Sequence, residues 1–164
     1  MPATLAAYPA TRLRRLRRSA QIRSLAQENT LVVGDLIWPI FLRDGYDVAE
    51  PIASMPGVAR LSIDRAVRAA EEAATLGIPA LCLFPHTDAD RRTETCEEAW
   101  SDENLVNRAI RAIKAEVPEI AIMTDIALDP YNANGHDGFV KDGVIVNDET
   151  IEALVKMALA QADA

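Results

Sequence analysis

The sequence has few cysteines and no apolar run of membrane-spanning length. Two cysteines in 164 residues are too few for a disulfide scaffold or a thiolate zinc cage, and Cys82 lies in an apolar run where a buried thiol is ordinary. A bilayer-spanning helix needs about 20 apolar residues, and the Arg-rich N-terminus lacks the apolar segment of a signal peptide. We therefore expect a soluble, cytoplasmic protein without membrane contact.

The composition is that of a folded domain with an uneven distribution of charge. Apolar residues make up 49% and charged residues 26% of the chain, which predicts a buried core rather than disorder. Residues 1–30 carry a net charge of +5, so the −8 of the whole chain leaves −13 for residues 31–164. We interpret residues 1–30 as a basic arm and residues 31–164 as an acidic body.

The basic arm lacks the pattern of a nucleic-acid-binding segment. Tyr8 is the one aromatic residue among its arginines, and the acidic body would repel a phosphate backbone. The positive arm and the negative body are better explained if the arm docks on an acidic surface. That surface belongs either to its own body or to an identical neighbour. We expect no nucleic-acid partner.

Three apolar runs have the composition of buried β-strands. They are LVVGDLIWPIFLR from Leu31, IPALCLFP from Ile78 and EIAIMTDIAL from Glu119. Pro39 cannot donate to a strand ladder, which predicts a strand end or a bulge at that position. The third run is apolar on both faces, as in a parallel sheet covered on both sides.

Helical periodicity alternates with these strands. Ser62 and Gly77 are positioned as the N-cap and C-cap of one helix, and a second apolar stripe runs over 102–116 before Pro118 breaks it. In the arm, residues 20–27 have the length of one or two helical turns. Alternation of this kind predicts βαβ units around a parallel sheet.

The long loops of this chain are those that follow the strands. A hairpin with its turn at Asp142-Gly143 is predicted before a last helix that begins at Asn147 or Asp148. In parallel α/β folds the loops after the strands form the functional face. The long loops here are Arg43–Leu61, Pro85–Ser101 and Asp129–Val146.

The densest polar cluster follows the third strand and contains Asp125, Asp129, His136 and Asp137. Strand alternation would put Asp125, Ala127 and Asp129 on one side, and the loop glycines would let His136 or Asp137 fold back toward them. Converging carboxylates are ligands for a hard cation such as Mg²⁺. In the alternative interpretation, Asp129 caps the turn before its proline, and His136 and Asp137 bond to loop backbone.

These residues also carry a family resemblance. The run TDIALDPYNANGHDG, residues 124–138, resembles the metal-loop signature of the 5-aminolevulinate dehydratases, also called porphobilinogen synthases. Further similar stretches occur in the family's order and cover the chain from about Arg12. They are RLRRL, DLIWPIFLRDG, EPIASMPGVARLS, EEAATLGIPALCLFP and NDETIEALVKMALAQADA.

The resemblance implies a fold and an activity. The fold is a (β/α)8 TIM barrel, of which this chain has the N-terminal arm and about the first three βα units. The arm embraces a neighbouring subunit in homo-oligomers that are usually octamers. The activity is that of a hydro-lyase of tetrapyrrole and heme biosynthesis, which condenses two molecules of 5-aminolevulinate into porphobilinogen.

The resemblance also bears on metals and on one acid. In zinc-dependent members three loop cysteines bind the metal, and the motif places those positions at Ala127, Asp129 and Asp137. None of these residues is a thiolate, so a zinc site of the cysteine type is not expected. Asp129 and Asp137 become candidate Mg²⁺ ligands. The sequence resembles a subgroup of the family that is Mg²⁺-stimulated or metal-independent. Asp125 matches a family acid that points into the active site, which implies a supporting role in catalysis.

The lysines of the chain do not fit the family's chemistry. Family members form Schiff bases through two strand lysines, whereas Lys114, Lys141 and Lys156 lie on predicted helices or in the hairpin. By the family pattern the reactive lysines would follow residue 164, so we expect an N-terminal fragment that is truncated before the fourth strand and is inactive alone. The competing interpretation is a catalytically silent interaction module that assembles with full-length or complementary subunits.

Overall fold

The computed structural model describes residues 6–164, so the first five residues of the predicted arm lie outside the described residues. It divides into two compact units, one that ends at Val32 and one that begins at Val33. In the first unit, Arg15–Arg17 form a 3-10 turn and helix α1 spans Ala20–Leu25. The predicted one or two helical turns in the arm are therefore confirmed.

The second unit alternates strands with helices. The strands are β1 (Ile37–Leu42), β2 (Ala49–Pro51), β3 (Ala59–Leu61), β4 (Ala80–Pro85), β5 (Ala121–Thr124), β6 (Val140–Lys141) and β7 (Val144–Ile145). The helices are α2 (Ile63–Leu76), α3 (Leu105–Glu116) and α4 (Asn147–Asp163). One sheet has the order β2-β3-β1-β4-β5, and β6 pairs with β7 in a second.

The central strands form the predicted parallel ladder. β1 and β4 pair in parallel over six residues, from Ile37 opposite Ala80 to Leu42 opposite Pro85. β4 then pairs in parallel with β5. The carboxyl ends of β1, β4 and β5 therefore lie at one edge of the sheet, together with the loops that follow them.

Two local predictions about the chain's glycines are confirmed. Gly77 ends α2 with φ of +78°, a left-handed conformation that costs glycine little. Asp142 and Gly143 both have positive φ (51° and 76°) at the turn between β6 and β7. Two successive positive φ angles are the pattern of a type I′ hairpin.

The predicted strand boundaries are partly wrong. β1 begins at Ile37 rather than Leu31, because Val33–Asp35 form a 3-10 turn. β5 ends at Thr124, so Asp125 belongs to the segment after the strand. The predicted loop over residues 43–61 contains two short strands, β2 and β3, which pair antiparallel, and β3 pairs in parallel with β1.

The prediction for Pro39 is also wrong, since this residue lies inside β1 and marks neither an end nor a bulge. β3 pairs with Phe41 and Leu42 at the end of β1, whereas Pro39 is opposite Cys82 of β4. One edge of β1 therefore has no ladder at Pro39, and a missing N–H costs nothing there.

The main core lies between the sheet and helices α2 and α3. Ile40, Leu42, Leu81 and Leu83 are at most 2% exposed and pack in one cluster with the buried side chains of both helices. The buried face of α2 consists of the small residues Ala66, Ala69, Ala70 and Ala73. Small side chains let a helix approach the sheet closely.

A second buried cluster lies under the loop that follows β5. Leu128 and Tyr131 of this loop pack with Met157 of α4, and each is at most 1% exposed. Cys96 and Ala99, from the segment before α3, and Ala153 of α4 are the other buried residues of this cluster. The acidic loop is thus fixed by apolar side chains that flank its carboxylates in sequence.

Ionic contacts of Asp44 tie together the loops above the sheet. Its carboxylate lies 2.9 Å from Arg91 Nη1, in the loop after β4, and also binds Arg108 of α3. Arg91 pairs in addition with Glu98. Three segments at the carboxyl edge of the sheet are therefore joined through a single carboxylate.

Apolar side chains are exposed on β5 and on α4. Met123 on β5 is 48% exposed, and β5 is the last strand of the sheet order. On α4, residues Ile151, Val155 and Leu159 are spaced by four and are 49%, 52% and 61% exposed. A stripe with this spacing on a helix is the pattern of a packing face.

We predict that Ser62→Ala lowers the free energy of unfolding by about 1–3 kcal/mol, the usual cost of leaving buried polar groups unpaired. Ser62 is fully buried and its side chain makes no capping bond to α2; instead its Oγ accepts from Val48 N–H (3.0 Å) and donates to Asp64 Oδ1 (2.6 Å). Urea unfolding measures the effect. Thr75→Ala, at an exposed hydroxyl of the same helix, is the control, and equal losses in both variants would refute the role of Ser62.

Candidate functional site

A cavity of about 230 Å³ opens at the carboxyl edge of the parallel sheet. Each central strand contributes to it, because residues at the ends of β1, β4 and β5 and in their following loops point to the same place. It is lined by Phe41, Arg60, Phe84, Pro85, His86, Asp125, Ala127, Asp129, Pro130, Tyr131 and Met157. Concave sites with an apolar lining and a few polar groups are the usual form of small-molecule sites.

The apolar part of the lining is a pair of stacked rings. Phe41 and Phe84 are opposite each other in the β1–β4 register, and their ring centroids are 5.6 Å apart at an interplanar angle of 28°. The backbone N–H of His86 donates to the carbonyl of Leu42 (2.8 Å), which carries the ladder one residue further. The same ladder therefore places both rings and the histidine at the cavity.

The structure brings Asp125, Ala127 and Asp129 to the cavity, although strand alternation is not the reason, because all three follow the end of β5. Partial burial raises the pKa of Asp129. Hydrogen bonding to Asp137 and the negative charges of Asp137 and Asp125 add to this effect. The carboxylates of Asp125 and Asp137 thus lie close enough to Asp129 to raise its pKa.

The loop folds back so that Asp137, but not His136, lies against Asp129. Asp137 Oδ1 accepts a hydrogen bond from the Asp129 backbone N–H at 3.4 Å. The alternative interpretation of this loop predicts such a bond between Asp137 and loop backbone. The bond leaves Asp137 Oδ2 and the Asp129 carboxylate oxygens open to a ligand. His136 is exposed and is not among the residues that line the cavity.

Gln161 of α4 holds the chain where β5 ends. Its side chain is 8% exposed; Oε1 accepts from Thr124 Oγ1 (2.7 Å) and Nε2 donates to the Asp125 carbonyl (3.3 Å). A side chain from the following helix thereby fixes the backbone of the cavity acid. Its residue type and position gave no signal in the sequence that would separate it from other polar residues on α4.

Sequence reasoning missed the basic side of the cavity. His86 follows β4 directly, so the rule that locates Asp125 after β5 would have found it. Arg60 lies on β3, a strand that the sequence did not predict. Burial lowers the pKa of His86, and the charges of Arg60, Arg92 and Arg43 lower it further against the opposing charge of Asp88.

None of the three lysines lines the cavity, and each has a partner elsewhere. Lys114 Nζ donates to the Ile120 carbonyl at 2.9 Å. Lys141 pairs with Glu149 at 2.9 Å, and Lys156 Nζ lies 5.5 Å from the centre of the Trp100 ring. The chain therefore places no amine nucleophile among these acids.

The neighbouring side chains in this loop that could hold a metal are the carboxylates of Asp129 and Asp137. Cys96 is fully buried with its Sγ near the carbonyls of Thr93 and Leu128, and Cys82 lies on β4. Across residues 6–164 no three His, Cys, Asp or Glu side chains are gathered closely enough to form a ligand set. Asp129 and Asp137 supply two oxygen donors, which suits a cation such as Mg²⁺ that keeps several waters.

A parallel sheet alternating with helices, with a cavity at the carboxyl ends of its strands, is the arrangement expected of the first βα units of an α/β barrel. The sequence profile described as delta-aminolevulinic acid dehydratase matches residues 10–164. The chain belongs to this family. No helix within residues 6–164 has the length and apolar character to cross a membrane.

Individual relatives agree with the family assignment. The chain is 59% identical over 157 residues to a delta-aminolevulinic acid dehydratase of Rhodobacter capsulatus and 54% identical over 155 residues to one of Bradyrhizobium diazoefficiens. These alignments cover 96% and 94% of this chain but 47% and 44% of the relatives. The chain thus spans just under half the length of the relatives it matches.

A solved structure shows the same fold. The crystal structure of the Toxoplasma gondii ME49 enzyme, in complex with its reaction product porphobilinogen, superposes with a TM-score of 0.88 at 40% identity. The match covers 93% of this chain and 44% of that one. The expected fold class, the first βα units of a TIM barrel, is confirmed.

We predict that His86 makes the protein less stable in mild acid. Its pKa is lowered in the folded state, so below about pH 6.5 the unfolded chain takes up the proton first and the free energy of unfolding falls. Urea unfolding between pH 7.5 and 5 should show a shallower fall for His86→Gln than for the wild type. His136→Gln, at the other histidine, should keep the wild-type slope, and an unchanged slope in His86→Gln would contradict the prediction.

Proposed function

We propose that this chain forms the N-terminal part of a porphobilinogen synthase, a cytoplasmic hydro-lyase that condenses and dehydrates two molecules of 5-aminolevulinate for tetrapyrrole and heme synthesis. The observation that carries the proposal is the cavity lined by Asp125 and Asp129 at the strand ends. Support comes from the family membership and from the similar Toxoplasma gondii chain, which is described in complex with porphobilinogen.

Asp125 has a supporting role in this proposal. Its carboxylate borders the cavity, and Gln161 and Thr124 fix the backbone from which it projects. A carboxylate at this place accepts hydrogen bonds from a substrate ammonium group and takes up a proton that the amine releases. It is not the nucleophile, because Schiff-base formation needs an unprotonated amine.

Asp129 and Asp137 are the proposed ligands of a Mg²⁺ ion. Their carboxylates are adjacent, and the repulsion that disfavours two charges there would be relieved by a divalent cation. A bound Mg²⁺ would supply positive charge beside the amine-binding acids. We do not expect a cysteine-type zinc site, because alanine and aspartates occupy the three positions of the family's zinc cysteines.

The basic arm is the proposed element of assembly. Its excess of arginine suits contact with the acidic body of an identical subunit, in a homo-oligomer that the family resemblance suggests is an octamer. The small molecule 5-aminolevulinate and identical subunits are the proposed partners, and nucleic acid and membranes are not.

A second candidate function is a catalytically silent module that binds full-length or complementary subunits. The observations that favour it are the exposed stripe of Ile151, Val155 and Leu159 on α4 and the position of β5 as the last strand of the sheet order. Open strand edges and apolar faces promote association. The two candidates differ in whether assembly produces turnover.

We predict that this chain alone forms no borohydride-stable adduct with 5-aminolevulinate, whereas an equimolar mixture with the remaining part of the Rhodobacter capsulatus enzyme produces porphobilinogen. None of the three lysines lines the cavity, so the chain holds no amine against the carbonyl of a bound substrate. Mass spectrometry after reduction, together with assay of the product, measures both. In the mixture Asp125→Asn should lower turnover by about 100-fold or more.

The outcomes separate the two functions. Turnover in the mixture that depends on Asp125 supports the synthase. Assembly of the mixture without turnover supports the silent module. A stoichiometric adduct on Lys114, Lys141 or Lys156 of the isolated chain would show that the proposed active site is wrongly placed.

We predict that Mg²⁺ raises the thermal midpoint of this chain and that Asp137→Asn abolishes the increase, because one of the two oxygen ligands is lost. Asp142→Asn, a matched change in the β6–β7 turn, should leave the increase intact. Calorimetry with and without Mg²⁺ measures the effect. An equal Mg²⁺ response in wild type and Asp137→Asn would refute these ligands, and loss of activity of the assembled enzyme with a zinc-selective chelator would refute the absence of zinc.

A further inference from the structure

The loop after β4 is joined by backbone hydrogen bonds to the acidic loop after β5, residues 125–137. The Thr93 N–H donates to the Tyr131 carbonyl (3.1 Å), and the Ala133 N–H donates to the Thr93 carbonyl (2.9 Å). Thr93 therefore pairs with Asn132 as in a parallel ladder, outside the named strands. The middle of the acidic loop is held by a neighbouring loop rather than by its own contacts alone.

Thr93 belongs to a turn that is closed by an ion pair. Arg91 Nη2 binds Glu98 Oε1, so the two ends of the segment 91–98 are held together with Thr93 between them. Inside the turn, Thr93 Oγ1 donates to Glu97 Oε2. The backbone that pairs with the acidic loop is thus braced from its own side.

Arg91 also attaches this turn to the rest of the unit. Its Nη1 lies 2.9 Å from Asp44 Oδ2, in the loop after β1, and the other Asp44 oxygen binds Arg108 of α3. Arg108, Asp44, Arg91 and Glu98 therefore form a row of four side chains with alternating charge. Isolated exposed ion pairs contribute little, but a network of several charges holds its members in place.

The two acids of the loop do not hold each other firmly. Asp137 Oδ1 accepts from the Asp129 N–H at 3.4 Å, which is long for a hydrogen bond. Burial raises the pKa of Asp129, and the charge of Asp137 raises it further, so the two carboxylates repel each other when both are ionised. Their spacing therefore depends on contacts made elsewhere in the loop.

We propose that Arg91 is a positioning residue that acts through Thr93 to set the spacing of Asp129 and Asp137. Loss of its guanidinium opens the turn and frees it from the loop after β1. The backbone of residues 131–133 then loses a fixed partner, and local opening of the acidic loop becomes more frequent. The proposal rests on the proposed function, because that function gives the two acids their role.

Amide hydrogen exchange of the full chain measures this opening without a ligand or turnover. In Arg91→Gln the amides of Thr93 and Ala133 should exchange about three- to tenfold faster than in the wild type. The NMR signal of the Asp129 amide should shift toward its position in Asp137→Ala, which lacks the acceptor. Arg91→Lys should recover part of the protection, since it restores the charge but not the planar pair of donors.

Two controls separate this effect from general loss of stability. Arg111→Gln removes an arginine of α3 that pairs with the exposed Glu103, and it should leave all of these signals as in the wild type. The His86 N–H, which extends the β1–β4 ladder, is the internal reference. Equal acceleration at His86 in Arg91→Gln, or unchanged exchange at Ala133, would overturn the proposal.

Turnover tests whether the spacing matters for the reaction. In the mixture with the remaining part of the Rhodobacter capsulatus enzyme, Arg91→Gln should lower porphobilinogen formation about 10- to 100-fold, and Arg91→Lys should recover part of it. Faster exchange with unchanged turnover would overturn the role of Arg91 in the reaction. If the wild-type mixture has no turnover, the synthase proposal fails, and the exchange rates still decide whether Arg91 positions the acidic loop.

Discussion

The parallel ladder between β1 and β4 is the interaction on which the rest of this structure depends. It pairs six residues in unbroken register, buries Ile40 and Leu83 against the alanine face of α2, and sets Phe41 beside Phe84. A slip of one residue would turn every one of these side chains to the other face of the sheet. Core packing and the shape of the cavity are therefore consequences of the same register.

Much of this arrangement could be predicted from local signals. Gly77 and the Asp142-Gly143 pair were predictable because positive φ angles restrict the choice of residue, and the βα alternation was predictable because continuous apolar runs alternate with periodic ones. Asp125 and Asp129 were found because residues that follow parallel strands converge. Each of these features depends on residues that are close together in the sequence.

The features that were missed depend on distant partners. Pro39 is accommodated inside a strand because β3 begins beyond it, and β3 is a three-residue strand stabilised by two neighbours. Arg60 reaches the cavity only through that strand, and Gln161 acts on a segment 36 residues earlier in the chain. Such contacts leave no periodic trace, because the residues that specify them are far apart in sequence.

The open side of β5 has a consequence during synthesis of any protein with the length of these relatives. The stripe on α4 and the outer strand leave the ribosome before the second half of the polypeptide exists. At about 5–20 residues per second, translation of a second half leaves them uncovered for on the order of ten seconds or more. For that interval the nascent chain is a target for holdase chaperones, and codons that slow translation beyond this segment would lengthen its exposure.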